Sequence, residues 1–85
     1  MNPENMTAKE CYEYARDVIK GRWIEGEKKI ATNAEYSYHY ALNVIKGTWT
    51  EGEAIIATDS YYSELYYKFF GINLMEDVNW KKDGF

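Results

Sequence analysis

The chain has 85 residues, 46% of them hydrophobic and 28% charged, with nine tyrosines and three tryptophans. This length supports one domain with a small core, and a single cysteine excludes an internal disulfide framework. A formal net charge of −4 excludes nonspecific nucleic-acid binding through basic surface.

The first predicted unit spans residues 7–32. Thr7 is a good N-cap. Ala8, Cys11, Tyr12, Ala15, Val18 and Ile19 then fall at helical spacing, which predicts a helix of about 13 residues. Lys20 suits its carbonyl end, and Gly21 is placed where a left-handed residue ends a helix. Trp23 and the Glu25-Gly26-Glu27 segment lead into a short second helix carrying Ile30 and Ala31.

Residues 33–58 repeat this unit at an offset of 26, with 15 of 26 positions identical. Asn33 takes the cap position, and Ala34, Tyr38, Ala41, Val44 and Ile45 take the apolar ones. Lys46 and Gly47 end the long helix. Thr50-Glu51-Gly52-Glu53 has the form of a capping box for the short one, with Ile56 and Ala57 following. A third copy starts at Asp59, keeps Tyr62 and Tyr66 in phase, and loses the Gly-x-Trp segment. Asn73 and Glu76 have the spacing to cap a last short helix carrying Trp80. No stretch alternates with period two, so strands are not expected. The predicted fold is all-α: one domain over residues 1–85, a solenoid-like stack of two full repeats (about 7–32 and 33–58) and a degenerate C-terminal capping repeat (59–85).

The pattern Tyr-x-Tyr-Ala-x-x-Val-Ile-Lys-Gly-x-Trp-x-Glu-Gly-Glu-x-x-Ile-Ala is complete from Tyr12 to Ala31 and again from Tyr38 to Ala57. It resembles a family of short tandem repeats in uncharacterised bacteriophage and bacterial proteins. The resemblance covers roughly residues 7–71. It implies an α-helical repeat of phage or mobile-element origin and carries no activity. Proline is frequent in that family where Ile24, Thr50, Ala34 and Ser60 stand here.

Catalytic chemistry is not expected. The one histidine, His39, aligns with Glu13 and Leu65, so the repeat does not reserve the position. Cys11 aligns with Ser37 and Ser63, as a small residue at a helix contact would. One cysteine and one histidine do not make a structural zinc site. Glu25, Glu27, Glu51 and Glu53 suit the positive end of a short helix better than a metal. Neither a cofactor nor a metal is expected, and Trp23 and Trp49 read as core between repeats.

What remains is surface. Along one helix face, the positions that change between copies are Glu10, Glu13 and Asp17, then Tyr36, His39 and Asn43, then Tyr62, Leu65 and Phe69. With Tyr40, these form a tyrosine-rich candidate contact surface, since tyrosine offers large area at low entropy cost. Docking of Trp80 and Phe85 on the apolar end of that stripe is the competing expectation. The leading functional expectation is a non-catalytic protein-binding module, a small phage-encoded effector or inhibitor whose partner is a host or phage protein. Two alternatives stand beside it. One is an acidic nucleic-acid mimic using Glu10, Glu13, Asp17, Glu25 and Glu27; the other is a structural accessory that self-associates, for instance as a homodimer. Met1 to Glu10 has no secretion-signal pattern, and no apolar run approaches the ~20 residues of a membrane span. Cytoplasmic location is expected, with no membrane and no direct nucleic-acid contact.

Overall fold

Three polar side chains start the three long helices. In the computed structural model, which describes residues 2–71, Thr7 and Glu10 cap each other's backbone N–H at 3.1 and 2.9 Å. Asn33 accepts from the Tyr36 amide at 3.0 Å, and Asp59 accepts from the Tyr61 and Tyr62 amides. These are the caps expected at repeat position one. They open α1 (Ala8–Tyr14), α3 (Ala34–Tyr40) and α5 (Ser60–Phe70). α2 (Ile24–Ile30) and α4 (Thr50–Ile56), which lack the π-turn extensions of α1 and α3, lie between them, and a 3₁₀ turn (Pro3–Asn5) precedes them all. The described residues are helices and connecting turns, with no strand among them.

The helix ends differ from expectation. α1 and α3 widen into π turns, Ala15–Ile19 and Ala41–Ile45. The Ala15 carbonyl then accepts from both Lys20 and Gly21, and the Ala41 carbonyl from both Lys46 and Gly47. This moves the chain reversal one residue upstream. The left-handed residues are Lys20 (φ 59°) and Lys46 (φ 61°), not Gly21 and Gly47. α5 has no π turn and ends on a left-handed glycine, Gly71 (φ 75°), whose amide reaches the Tyr67 carbonyl. The π turn also rotates Val18 and Ile19 off the α-helical phase. They are 60% and 42% exposed, where the spacing placed them on the buried face.

The capping box at Thr50 does not form. Thr50 is the first helical residue, and Trp49 is the N-cap, without a side-chain cap bond. Ile24 and Trp23 stand the same way in α2. The tryptophan ring instead folds back over the glycine three residues on. A Cβ on Gly26 would lie 2.4 Å from Trp23 Cε3, and one on Gly52 would lie 2.4 Å from Trp49 Cε3. The glycine of Glu-Gly-Glu is the floor under the indole.

Cys11, Ser37 and Ser63 are buried where helices meet. Ser37 Oγ donates to the Ile30 carbonyl at 2.9 Å, and Cys11 Sγ faces the Pro3 carbonyl at 3.9 Å. The core also holds Tyr12, Trp23, Ile30, Tyr38, Tyr40, Trp49, Ile56 and Tyr66. The principal packings join elements close in sequence: α1 with α2 and α3, α3 with α4 and α5, and α4 with α5. The expected helix after Asn73 and the docking of Trp80 and Phe85 lie outside the described residues.

Candidate interaction surface

One hydrogen-bonded constellation occurs twice, 26 residues apart. The Tyr40 hydroxyl accepts from the Trp23 amide at 2.9 Å and donates to Glu27 Oε2 at 2.7 Å. The Tyr66 hydroxyl accepts from the Trp49 amide at 2.9 Å and donates to Glu53 Oε2 at 2.7 Å. Each tyrosine thus satisfies the orphan N–H at the start of the preceding short helix. Its ring also lies against a second aromatic, Trp49 for Tyr40 (4.7 Å) and Phe70 for Tyr66 (4.8 Å).

Tyr40 is therefore not surface. It is 0% exposed, and its hydroxyl is committed on both sides. The expectation that it helps bind a partner is corrected on that ground. Burial first, then the Glu27 carboxylate, pushes the Tyr40 hydroxyl well above the usual tyrosine range. Burial alone would raise Glu27 too. The Arg22 guanidinium, gripping it at 2.8 and 2.9 Å, and the Tyr40 hydroxyl together hold its carboxyl below the usual range. The second constellation has Thr48 where the first has Arg22, and Glu53 is half-buried.

The variable stripe has a structural cause. In the second and third copies it is the face that packs on the copy before. Tyr36 and His39 lie 5.8 and 6.0 Å from the Tyr12 ring, and Asn43 Nδ2 donates to the Tyr12 hydroxyl at 2.8 Å. Tyr62 and Phe69 lie 5.6 and 6.4 Å from the Tyr38 ring, and Leu65 is half-buried against the core. The first copy's face has Asn2, Asn5 and Met6 beside it. There Glu10, Glu13 and Asp17 line a groove of about 570 Å³ with Met6, Tyr14 and Val18.

The stripe is thus two surfaces. Tyr36, His39 and Tyr62 come together in an aromatic seam, completed by Tyr12, Tyr38 and Tyr61, which the stripe did not include. His39 sits at its centre, with Glu35 Oε2 4.0 Å from its Nε2. The seam ends in open rings: Tyr61 and Phe69 are 62% and 61% exposed. Glu10, Glu13 and Asp17 line their own groove, each engaged there. Glu10 caps Thr7, Glu13 lies 3.9 Å from Lys9, and Asp17 is held at 2.7 Å by Arg16.

Cys11 is fully buried, and burial pushes its thiol up. Among the described residues no group of three His, Cys, Asp or Glu side chains is arranged to hold a metal ion. Comparison with protein-family models, with characterised proteins and with solved structures finds no match to this chain.

Proposed function

We propose that the chain is a non-catalytic protein-binding module, built as a short solenoid-like stack of two 26-residue repeats and a degenerate third. The carrying observation is the aromatic seam that ends in the exposed rings of Tyr61 and Phe69. Exposed aromatics held on rigid helices supply contact area without a large ordering cost. The repeating Trp–Tyr–Glu constellation supports the stacked reading, because each copy completes the bonding of the one before. The family resemblance carries no activity and bears only on a phage or mobile-element origin; within that origin we read the module as an effector or inhibitor of a host protein. Among the described residues no helix is long and apolar enough to cross a membrane.

The nucleic-acid-mimic alternative draws less support. It needs free carboxylates at phosphate-like spacing, and Glu27 is buried under Arg22 while Asp17 is held by Arg16.

The test is capture of a stoichiometric protein from the cell that carries the gene, using wild type and a Tyr61→Ala, Phe69→Ser variant. Loss of that protein with the variant, at an unchanged thermal midpoint, supports the reading. Undiminished capture by the variant overturns the seam as the contact surface. A solution mass of twice the chain, collapsing to one in the variant, assigns the seam to self-association instead.

A further inference from the structure

Resting on the protein-binding reading, we propose that the aromatic seam recognises an arginine-bearing, cationic segment of its partner. The chain itself displays the binding mode at the seam's other end. The Arg16 guanidinium lies 5.1 Å over the Tyr12 ring while its fork grips the Asp17 carboxylate at 2.7 Å. A ring face beside a carboxylate is what holds a planar cation.

The same pair of groups recurs, without a cation, where the seam opens. The Tyr61 and Tyr62 rings meet edge to face at 4.8 Å, and His39 lies 6.1 Å from Tyr62. Glu35 and Asp59 border these rings. Glu35 lies beside His39, and Asp59 holds the amides of Tyr61 and Tyr62 with one carboxylate oxygen. Among the described residues neither carboxylate is paired with a lysine or arginine. Burial, then Glu35 and Asp59 with Tyr61, push the Tyr62 hydroxyl upward, as expected where negative charge gathers around a ring. With a net charge of −4 over the chain, the long-range field also favours a basic partner. A guanidinium fits better than an ammonium, because it can lie flat on Tyr61 and fork toward a carboxylate.

The probes are an octa-arginine peptide, octalysine, and the octa-arginine sequence with citrulline replacing arginine. Each is titrated into the ¹⁵N-labelled full chain at moderate salt. The expected result is shifts confined to Glu35, Tyr36, His39, Tyr61 and Tyr62, strongest with arginine, weaker with lysine and absent with citrulline. Tyr61→Ala and Glu35→Gln should each weaken arginine binding roughly three- to thirtyfold. Glu13→Gln in the other groove should leave it unchanged. Both seam positions reach solvent, and far-UV circular dichroism checks that each variant folds. Three results overturn the inference: shifts mapping to Glu10, Glu13 and Asp17, equal binding of octalysine, or indifference to Tyr61→Ala. If the captured partner is lost with the Tyr61→Ala, Phe69→Ser variant yet arginine peptides do not bind, only the arginine inference falls. If capture ignores that variant, the parent reading falls with it.

Discussion

Tyr40 and Tyr66 make the same two hydrogen bonds in unequal surroundings. Glu27 is 8% exposed, whereas Glu53 is half-buried and reachable by water. Removing the hydroxyl leaves a buried amide without an acceptor in both cases, but strips a buried carboxylate only in the first. Tyr40→Phe should therefore cost about 2–3 kcal/mol and Tyr66→Phe about 1–2 kcal/mol, read from urea unfolding. Glu27 also sets a pH dependence. Its folded pKa is depressed, so the stability it adds is present above the unfolded carboxylate value of roughly 4.3 and is lost as pH falls through the lower folded value. Thermal melts at neutral pH and at pH about 3.5 should show wild type losing more stability than Glu27→Gln between the two. An equal loss would mean the Arg22 fork is spent in solvent. The Tyr40 role was legible in the sequence and was misread there. Tyr14, Tyr40 and Tyr66 keep one phase through three copies, and a position fixed in every copy is one the fold dictates. Variable neighbours such as Tyr36 and His39 carried the opposite signal.

At the scale of the element, the starts of α1, α3 and α5 were legible and the helix ends were not. A start is a local event, settled by one side chain and an amide two or three residues away, so Thr7, Asn33 and Asp59 announce it. The ends depend on how the backbone widens. The π turns put Lys20 and Lys46 in the left-handed region, although a glycine stands next to each. Relief of that conformation, less the extra entropy of a free glycine, should let Lys46→Gly stabilise the chain by up to about 1 kcal/mol. The short helices were located, but the N-cap of α4 was misassigned to Thr50. A capping box is a polar pattern, and what organises Trp49 and Gly52 is contact between a ring and a missing side chain. That contact separates two glycines of each copy. Gly52→Ala drives a methyl into the Trp49 ring and should cost about 1–3 kcal/mol. Gly21→Ala meets nothing within 4 Å, at an ordinary φ, and should be neutral or stabilise by about 0.4–1 kcal/mol. The urea midpoint should fall for Gly52→Ala and hold or rise for Gly21→Ala.

For the whole molecule, the question is whether the 26-residue unit is a structural module or only a recurring sequence. Among the described residues, packings confined to nearby elements favour a module. So does the reuse of one bonding scheme, because the hydroxyl of Tyr40 completes the Trp23 turn and that of Tyr66 completes the Trp49 turn. A module of this kind can be inserted. A second copy of residues 33–58, placed between Thr58 and Asp59, presents its own Tyr40 equivalent to Trp49 and its own Trp49 equivalent to Tyr66. Both existing junctions are recreated, and one further junction is added between identical partners. The lengthened chain should unfold in one transition, at a higher urea midpoint, because each added unit contributes an interface as well as itself. Its urea m-value should rise by roughly three tenths, in proportion to the added chain. An unchanged m-value would mean that the inserted unit hangs unfolded from the original core. A lower midpoint would mean that the three copies form one core that tolerates no spacer, and the stacked reading would then be wrong.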